Sequence, residues 1–488
     1  MSAYPRHISK SSFIAGLKCH RKLWQRIWQP QSAAPWSGID RLRMEFGIRF
    51  GVLAHELYPD AVLIEINIRK LKQAEEDTRR AIDAGAQTLL EATFRHESCR
   101  VLSDVFEKLP DGSWQLIEVK SSARVKDEHI PDLAFQKWVI ENCGYRVSSC
   151  GVLYADKAGT WPDRKSLFRY EDVTKRVDLA VRQIPEQLAP MLEIAVERGT
   201  PPRARQWFSK NCHDCEFKKT VCWQGITEPT IYDVVNTRKI PTLEALGVFY
   251  VSDIPRGFDL SATDRRHVNC INGKAVNVDR VAISRMLERL EYPIHFLDFE
   301  SVAVAVPLFD GIHPWERLPF QYSLHILEDS GEMTHREYLH EEFSDPSEQL
   351  VERLLDDIGP AGSVVVYHAQ MESGVLKDLA ERFPERAERL LQVSARIWDL
   401  EKVFLKNYRH WKFGSKSSIK VVLPVLVPAL SYETEDISDG GDASLSWIEM
   451  LESGDFIERQ QTADALRSYC KLDTLAMAEL LAHIRDVV

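Results

Sequence analysis

Apolar positions recur at helical spacing over residues 11–28, where Phe13, Leu17, Leu23 and Trp24 mark one face and Ser11 or Ser12 supplies a cap. Further helical patterns cover about 41–57 and 75–91. The period then drops to two. Residues 100–109 and 114–121 alternate around Pro110-Asp111-Gly112-Ser113, a hairpin signal. A helix is expected over 131–142, a strand over 146–154, and one long helix over 173–198. Residues 226–285 read as short connecting helices, with 242–255 (TLEALGVFYVSDIP) weakly similar to a helix-hairpin-helix element. A second alternation of strands and helices begins at Tyr292. Short apolar runs at 294–299 and 363–368 suit buried strands. Residues 321–327 and 336–342 alternate, and Asp345-Pro346 opens a helix over 347–358. Helices are expected at 373–383, 384–392 and 464–485. The order predicts an α/β chain: a module over 1–225, a helical connector over 226–285, and a module over 286–488.

Composition narrows the class. The 488 residues are 44% hydrophobic and 28% charged, an ordinary globular profile. No apolar run approaches the ~18 residues of a membrane helix, and the richest, 421–430, contains Pro424 and Pro428. The first residues, MSAYPRHISKSS, lack the apolar segment of a signal peptide. A soluble cytoplasmic protein is the expectation, and nine cysteines then point to metal binding where they cluster. The net charge of −11 averages a +6 over residues 1–225 and a −17 over the rest. That asymmetry suggests different tasks for the two halves.

The first constellation lies on the hairpin. Glu118 and Lys120 are two apart on a strand and leave the same face. Asp104, on the preceding strand, falls opposite residue 118 or 119. Two carboxylates converging there suit a hard cation such as Mg²⁺ or Mn²⁺, and Lys120 can stabilise developing negative charge. The pattern matches the PD-(D/E)xK nucleases. Residues 11–24 (SSFIAGLKCHRKLW), 46–55 (FGIRFGVLAH), 91–94 and 119–136 (VKSSARVKDEHIPDLAFQ) resemble the RecB-like exonuclease family, including its CRISPR-associated members, over about residues 8–225. The resemblance implies a restriction-endonuclease-like mixed sheet with helices. It also implies a metal ligand at His55 and a site-holding residue at Gln136. Where that family often has Tyr four residues after the Gln, this chain has Ile140.

The second constellation is Cys212-x2-Cys215-x6-Cys222, joined by Cys19 near the start of the chain. Thiolates at this spacing bind a soft centre. Members of the same exonuclease family place one Cys before the nuclease core and three after it, around a [4Fe–4S] cluster, and all four positions match. Tetrahedral Zn²⁺, with Cys₄ or with His213, is the alternative.

The third constellation spans the second module. Asp298 and Glu300 sit two apart after an apolar run, Glu372 follows the strand at 363–368, and Tyr469 and Asp473 are at i and i+4. This order resembles the DEDD, RNase H-like 3′–5′ exonucleases. By that resemblance Asp298, Glu300, Glu372 and Asp473 are ligands of two metals and Tyr469 orients the attacking water. Glu372 stands where the pattern normally has Asp, and Asp399 is a further acidic candidate. The whole chain, RecB-like module first and RNase H-like module second, resembles an uncharacterised bacterial domain family.

Basic residues beside aromatics suit single-stranded nucleic acid. They include Arg21, Lys22, Arg49, Lys126 and clusters at 164–169, 203–205 and 218–219, near Trp24, Trp28, Trp36, Trp114 and Trp207. The run 402–420, ending in Lys420, is basic within an acidic module. The expectation is a Mg²⁺- or Mn²⁺-dependent nuclease with two centres acting on DNA or RNA. The alternative is a nucleic-acid-binding scaffold with one or both centres inactive. No membrane partner is expected, and protein partners stay open.

Overall fold

A computed structural model describes residues 7–196, 199, 212, 214–235, 238–432, 437 and 439–488. The chain divides into two compact units. The first holds residues 1–36, 43–225 and 303–316; the second holds 37–42, 226–302 and 317–488. The fold is α/β.

The first part of the chain runs β1 (Ile8–Ser9), α1 (Lys10–Lys18), α2 (His20–Trp28), α3 (Gly38–His55), β2 (Val62–Leu63), α4 (Leu71–Asp83), β3 (Thr88–His96), β4 (Cys99–Lys108), β5 (Trp114–Lys120), α5 (His129–Asn142), β6 (Val147–Ala155), β7 (Phe168–Asp172), α6 (Thr174–Val181) and α7 (Ile184–Val196). The strands form one mixed sheet in the order β2-β3-β4-β5-β6-β7, with β1 added parallel to β4. The helix α5 packs across β3, β4, β5 and β6. Its Phe135 ring stacks on Phe13 of α1 at a centroid distance of 4.5 Å.

Three sequence expectations change here. The pattern over 11–28 is not one helix: Cys19 adopts extended backbone and serves as C-cap of α1 and N-cap of α2. The pattern over 75–91 ends at Asp83, because Gly85 takes φ +89° and closes the helix, and 88–96 becomes strand β3. The Leu/Glu/Ala content of that stretch favours helix locally, but pairing with β4 buries its apolar residues on both faces. The helix expected over 173–198 breaks between Val181 and Ile184, and 197–198 lie outside the described residues.

The rest of the chain runs α8 (Ile231–Val234), α9 (Ile240–Ala245), α10 (Ala262–Asn272), β8 (Val276–Val278), α11 (Arg280–Leu287), β9 (Ile294–Val302), β10 (Leu318–Leu327), β11 (Met333–Leu339), α12 (Ser347–Asp357), β12 (Val364–Val366), α13 (Gln370–Arg382), α14 (Ala387–Ala395), β13 (Ile397–Asp399), α15 (Glu401–Lys406), β14 (Tyr408–His410), α16 (Ile419–Leu426), α17 (Gly440–Glu452) and α18 (Phe456–Val487). The stretch 242–255 does not form two α-helices: α9 is followed, after Gly247 at φ +74°, by a single 3₁₀ turn at Val251–Asp253.

The main sheet of the second unit has the order β11-β10-β9-β12-β13. The first three strands are antiparallel neighbours, and β9, β12 and β13 are parallel. Alternation along β9 sets its two faces. Ile294 and Phe296 join the cluster that includes Met477, Leu480, Leu481 and Ile484 of α18. Leu297 and Phe299 join the opposite cluster, with Leu350, Leu354 and Leu376 from α12 and α13. Asp298 and Glu300 therefore continue the face turned towards α18.

One glycine is required by close approach. Gly362 takes φ +82°, and a Cβ built there would lie 1.9 Å from the carbonyl oxygen of Pro293. Gly362→Ala should destabilise the second unit by about 2 kcal/mol or more, since backbone strain and a backbone clash coincide. Thermal unfolding checks this: an unchanged transition would show that the β9–β12 entry relaxes freely.

Candidate functional site

In the second unit, Asp298 and Glu300 from β9 and Asp473 from α18 place ligand oxygens within 4.8 Å of one another. Local sequence supplies the pairs and sheet anchoring joins them. The β10 residues opposite Asp298 and Glu300 are Ser323 and Gln321. The Ser323 hydroxyl lies 2.7 Å from that of Thr474, the residue after Asp473, and His325 Nδ1 lies 2.8 Å from the same hydroxyl. Gln321 donates to the backbone oxygen of Leu466 at 2.9 Å. These buried bonds fix α18 in both height and rotation.

The electrostatics are those of crowded acids whose charge Lys420 offsets only in part. Burial and the charges of Asp473, Glu300 and Glu372 push Asp298 well above the usual carboxylate range. Burial and Asp473 raise Glu300 to about 8. Burial also raises Asp473, to about 6, against the Tyr432 hydrogen bond and the Lys420 charge. Glu372, on the first turn of α13, is raised to about 8 by burial, with Asp399 and Asp473 adding to it. Its Oε2 is buried without a hydrogen-bond partner. A set of hard oxygen donors, mutually repelling and partly unsatisfied, fits divalent cations such as Mg²⁺ or Mn²⁺.

Tyr469 is buried beside these acids, with Lys420 Nζ 3.4 Å from its hydroxyl. Two neighbours were not evident from sequence. Tyr432 donates to Asp473 Oδ1 at 2.5 Å, and Cys470 Sγ lies 3.7 Å from Asp298 Oδ2. Cys470 was legible in principle as the residue after Tyr469, whereas nothing local marks Tyr432. Asp399 plays a local part: its Oδ1 accepts the backbone N–H groups of His368 and Glu401.

In the first unit, the register pairing Val105 with Ile117 puts Asp104 across from Glu118. The pairs Leu90–Val105 and Ala92–Ser103 put Glu91 beside Asp104 on the other side. Three carboxylates thus form a row across β3, β4 and β5. Glu91 is a non-glycine residue at φ +58°, a conformation costing about 1–3 kcal/mol that persists where surroundings over-determine it. His55, the last residue of α3, brings Nε2 to 3.5 Å from Glu91 Oε1. Asp104 Oδ2 accepts the Val119 backbone N–H at 2.7 Å.

Glu118 is the hub. Its Oε1 receives Lys120 Nζ and Lys10 Nζ, each at 2.6 Å, and its Oε2 receives Gln136 Nε2 at 2.6 Å. Lys120 also bonds Asp132 Oδ2 at 2.8 Å. Burial would raise Glu118, but the two ammonium groups hold it well below the usual carboxylate range. Asp104 is pushed up to about 7 by burial and by the Glu118 charge. Gln136 Oε1 is buried and unpartnered. His55, Glu91, Asp104 and Glu118 are the side chains that would hold a hard cation at this site. Asp132 could have been found from its i, i+4 spacing to Gln136 on α5. Glu91 lies in the resembling stretch 91–94, but Lys10 carries no local signal.

Cys19, Cys212, Cys215 and Cys222 line one pocket together with Arg21, Lys22, Gln25, Phe217, Lys218 and Trp223. None of the four forms a disulfide. Burial raises Cys215 and Cys222 above the ordinary thiol range, so a metal binding there would have to displace their protons. The donors fit a cysteine-ligated metal centre. His213 lies outside the described residues.

The basic candidates separate. Arg21 and Lys22 belong to the cysteine pocket, and Lys22 pairs with Glu216 at 2.7 Å. Arg49 pairs with Glu45 and lies over the Phe46 ring. Lys126 is exposed, 3.9 Å from Glu128. Lys420 stands over the rings of Tyr432 and Tyr469 at the acidic cluster. Trp24, Trp28 and Trp114 are not free stacking surfaces. Trp24 and Trp28 donate to backbone oxygens of Gly199 and Ile194, and Trp114 stacks on Phe106 in the core. Trp36 is exposed, while 203–205 and Trp207 lie outside the described residues.

These features define an α/β protein with two buried carboxylate clusters and a four-cysteine pocket. Residues 295–418 match a family model described as a domain of unknown function (DUF2779). The match includes Asp298, Glu300 and Glu372 and ends before Lys420, Tyr469 and Asp473. Comparison with curated proteins finds no match. Seven chains of solved structures match. One, titled "Crystal structure of SSO0001", shares 14% identity over 44% of this chain and 86% of its own, at a TM-score of 0.20. Similarity at that level bears on neither fold nor function. Among the described residues no helix is long and apolar enough to cross a membrane.

Proposed function

We propose that the chain is a metal-dependent nuclease that hydrolyses phosphodiester bonds of nucleic acid, with DNA as the preferred reading, at two centres. The observation that carries this is the approach of Asp298, Glu300 and Asp473 within 4.8 Å. The DEDD, RNase H-like reading of the second unit is supported by the strand order β11-β10-β9-β12-β13 and by Glu372 and Tyr469 at the same cluster. The RecB-like reading of the first unit is supported by the row Glu91–Asp104–Glu118 with Lys120 and Gln136. A bound divalent cation would polarise the phosphodiester and lower the pKa of a water.

The chain's own residues divide the remaining work. Lys120, held by Glu118 and Asp132, presents positive charge where negative charge develops on the phosphate. Gln136 orients Glu118. In the second unit Lys420 and Tyr432 keep Tyr469 and Asp473 in place, and Lys420 offers a cation to a phosphate entering the cluster.

Labelled single- and double-stranded DNA and RNA, with Mg²⁺ or Mn²⁺, form the test. Wild type should cleave. Lys120→Ala and Asp298→Ala should each remove part of the products, and the double variant all of them. Absence of cleavage by wild type on every substrate overturns the proposal. Salt-sensitive binding without turnover would instead support the scaffold reading.

The cysteine pocket is proposed to hold a [4Fe–4S] cluster joining the two ends of the first unit. Anaerobically purified protein should show broad visible absorption that Cys215→Ser removes, together with a lower unfolding temperature. Stoichiometric zinc in colourless protein would mean the Zn²⁺ alternative.

A further inference from the structure

Lys10 is the first residue of α1, and its position is fixed on both sides. Ile8 and Ser9 pair with Cys99 and Arg100 of β4, and the Ser9 hydroxyl caps the helix by accepting the Ser12 N–H at 3.2 Å. The ammonium group therefore reaches Glu118 from a rigid base. It shares Oε1 with Lys120, while Gln136 takes Oε2.

A carboxylate offers about four lone-pair sites. At Glu118 three are taken, which leaves one. A carboxylate bridging two ions ~3.5–4 Å apart needs two open sites, one for each ion. Charge counting agrees. Counted in the ionised form that a bound cation would favour, Glu91, Asp104, Glu118 and Asp132 stand against Lys10 and Lys120, with His55 neutral as a ligating imidazole must be. Two negative charges remain, the complement of a single divalent ion. Without Lys10, three would remain and a second site on Glu118 would open.

We propose that Lys10 stands in for a second cation in the first unit, so that this centre takes one divalent ion. The inference rests on the metal reading of that centre given above. It makes Lys10 a positioning residue, acting on Glu118 rather than on substrate.

The test counts Mn²⁺ bound to the full-length, anaerobically purified protein by electron paramagnetic resonance. The Asp298→Asn/Asp473→Asn background silences the second centre. One ion is expected in that background. Adding Lys10→Met should raise the count to two, with dipolar coupling between the ions. Adding Lys10→Arg, which keeps the charge, should leave one uncoupled ion. Two ions with Lys10 intact overturn the inference and leave the metal reading standing, as does a single ion in Lys10→Met whatever its affinity. No ion at all in the background overturns the metal reading of this centre and the inference with it. The arginine variant separates loss of charge from loss of packing should the methionine variant fold poorly.

Discussion

Asp298→Asn should lower cleavage assigned to the second unit by about 10³-fold while making the metal-free protein more stable. Both effects follow from one cause. Asp298 is buried among Glu300, Glu372 and Asp473, so its charge is unfavourable until a cation offsets it. An amide of the same shape removes the repulsion and preserves packing. It also removes a ligand oxygen from the group of three that approach within 4.8 Å. Metal-supplied charge stabilisation is worth several kcal/mol, and about 4 kcal/mol corresponds to ~10³ in rate. The paired measurements are cleavage rate and unfolding temperature with and without Mn²⁺. Wild type should gain roughly 5–10 °C from Mn²⁺ near 100-fold above its dissociation constant. The variant should start higher and gain less. A variant that is both less stable and still active would remove Asp298 from the site.

The metal-free protein should lose stability as pH rises from about 6 to 8, and Mn²⁺ should flatten the loss. Asp473 titrates near 6, and Glu300 and Glu372 near 8, in the folded state. In the unfolded chain such groups titrate near ~4. Between those values the folded state holds protons that the unfolded state has released, so the stabilisation is present at low pH and lost as pH climbs through the folded values. Each such proton is worth about 1.4 kcal/mol per pH unit at most. Partial ionisation brings the total between pH 6 and 8 to about 5 kcal/mol. A bound cation makes the ionised form the favoured one, so Mn²⁺ affinity should rise over the same interval. Unfolding temperatures across this range, with and without Mn²⁺, decide the matter. A flat metal-free profile would mean that the acids are already neutralised by groups of the chain itself.

Much of the candidate chemistry was legible because it is local. Two residues apart on a strand share a face, which links Asp298 to Glu300 and Glu118 to Lys120 whatever surrounds them. Four apart on a helix share a face, which links Tyr469 to Asp473. The turn at Asp111-Gly112 sets the hairpin register, and with it the pairing of Asp104 and Glu118. Strand β3 was not legible. Its Thr-Leu-Leu-Glu-Ala start favours helix, and only pairing with β4 turns it into a strand that delivers Glu91.

By itself, then, the sequence determined the α/β class, the boundary elements that carry each pair of acids, and the four-cysteine spacing. Tertiary structure alone decided which pairs meet. It placed α18 against β9 through Ser323, His325 and Thr474, which brings Asp473 to Asp298. It hooked β1 onto β4, which carries Lys10 across 108 residues of sequence to Glu118. Such approaches depend on strand order and helix docking, set by burial summed over the whole core, and no local spacing encodes them.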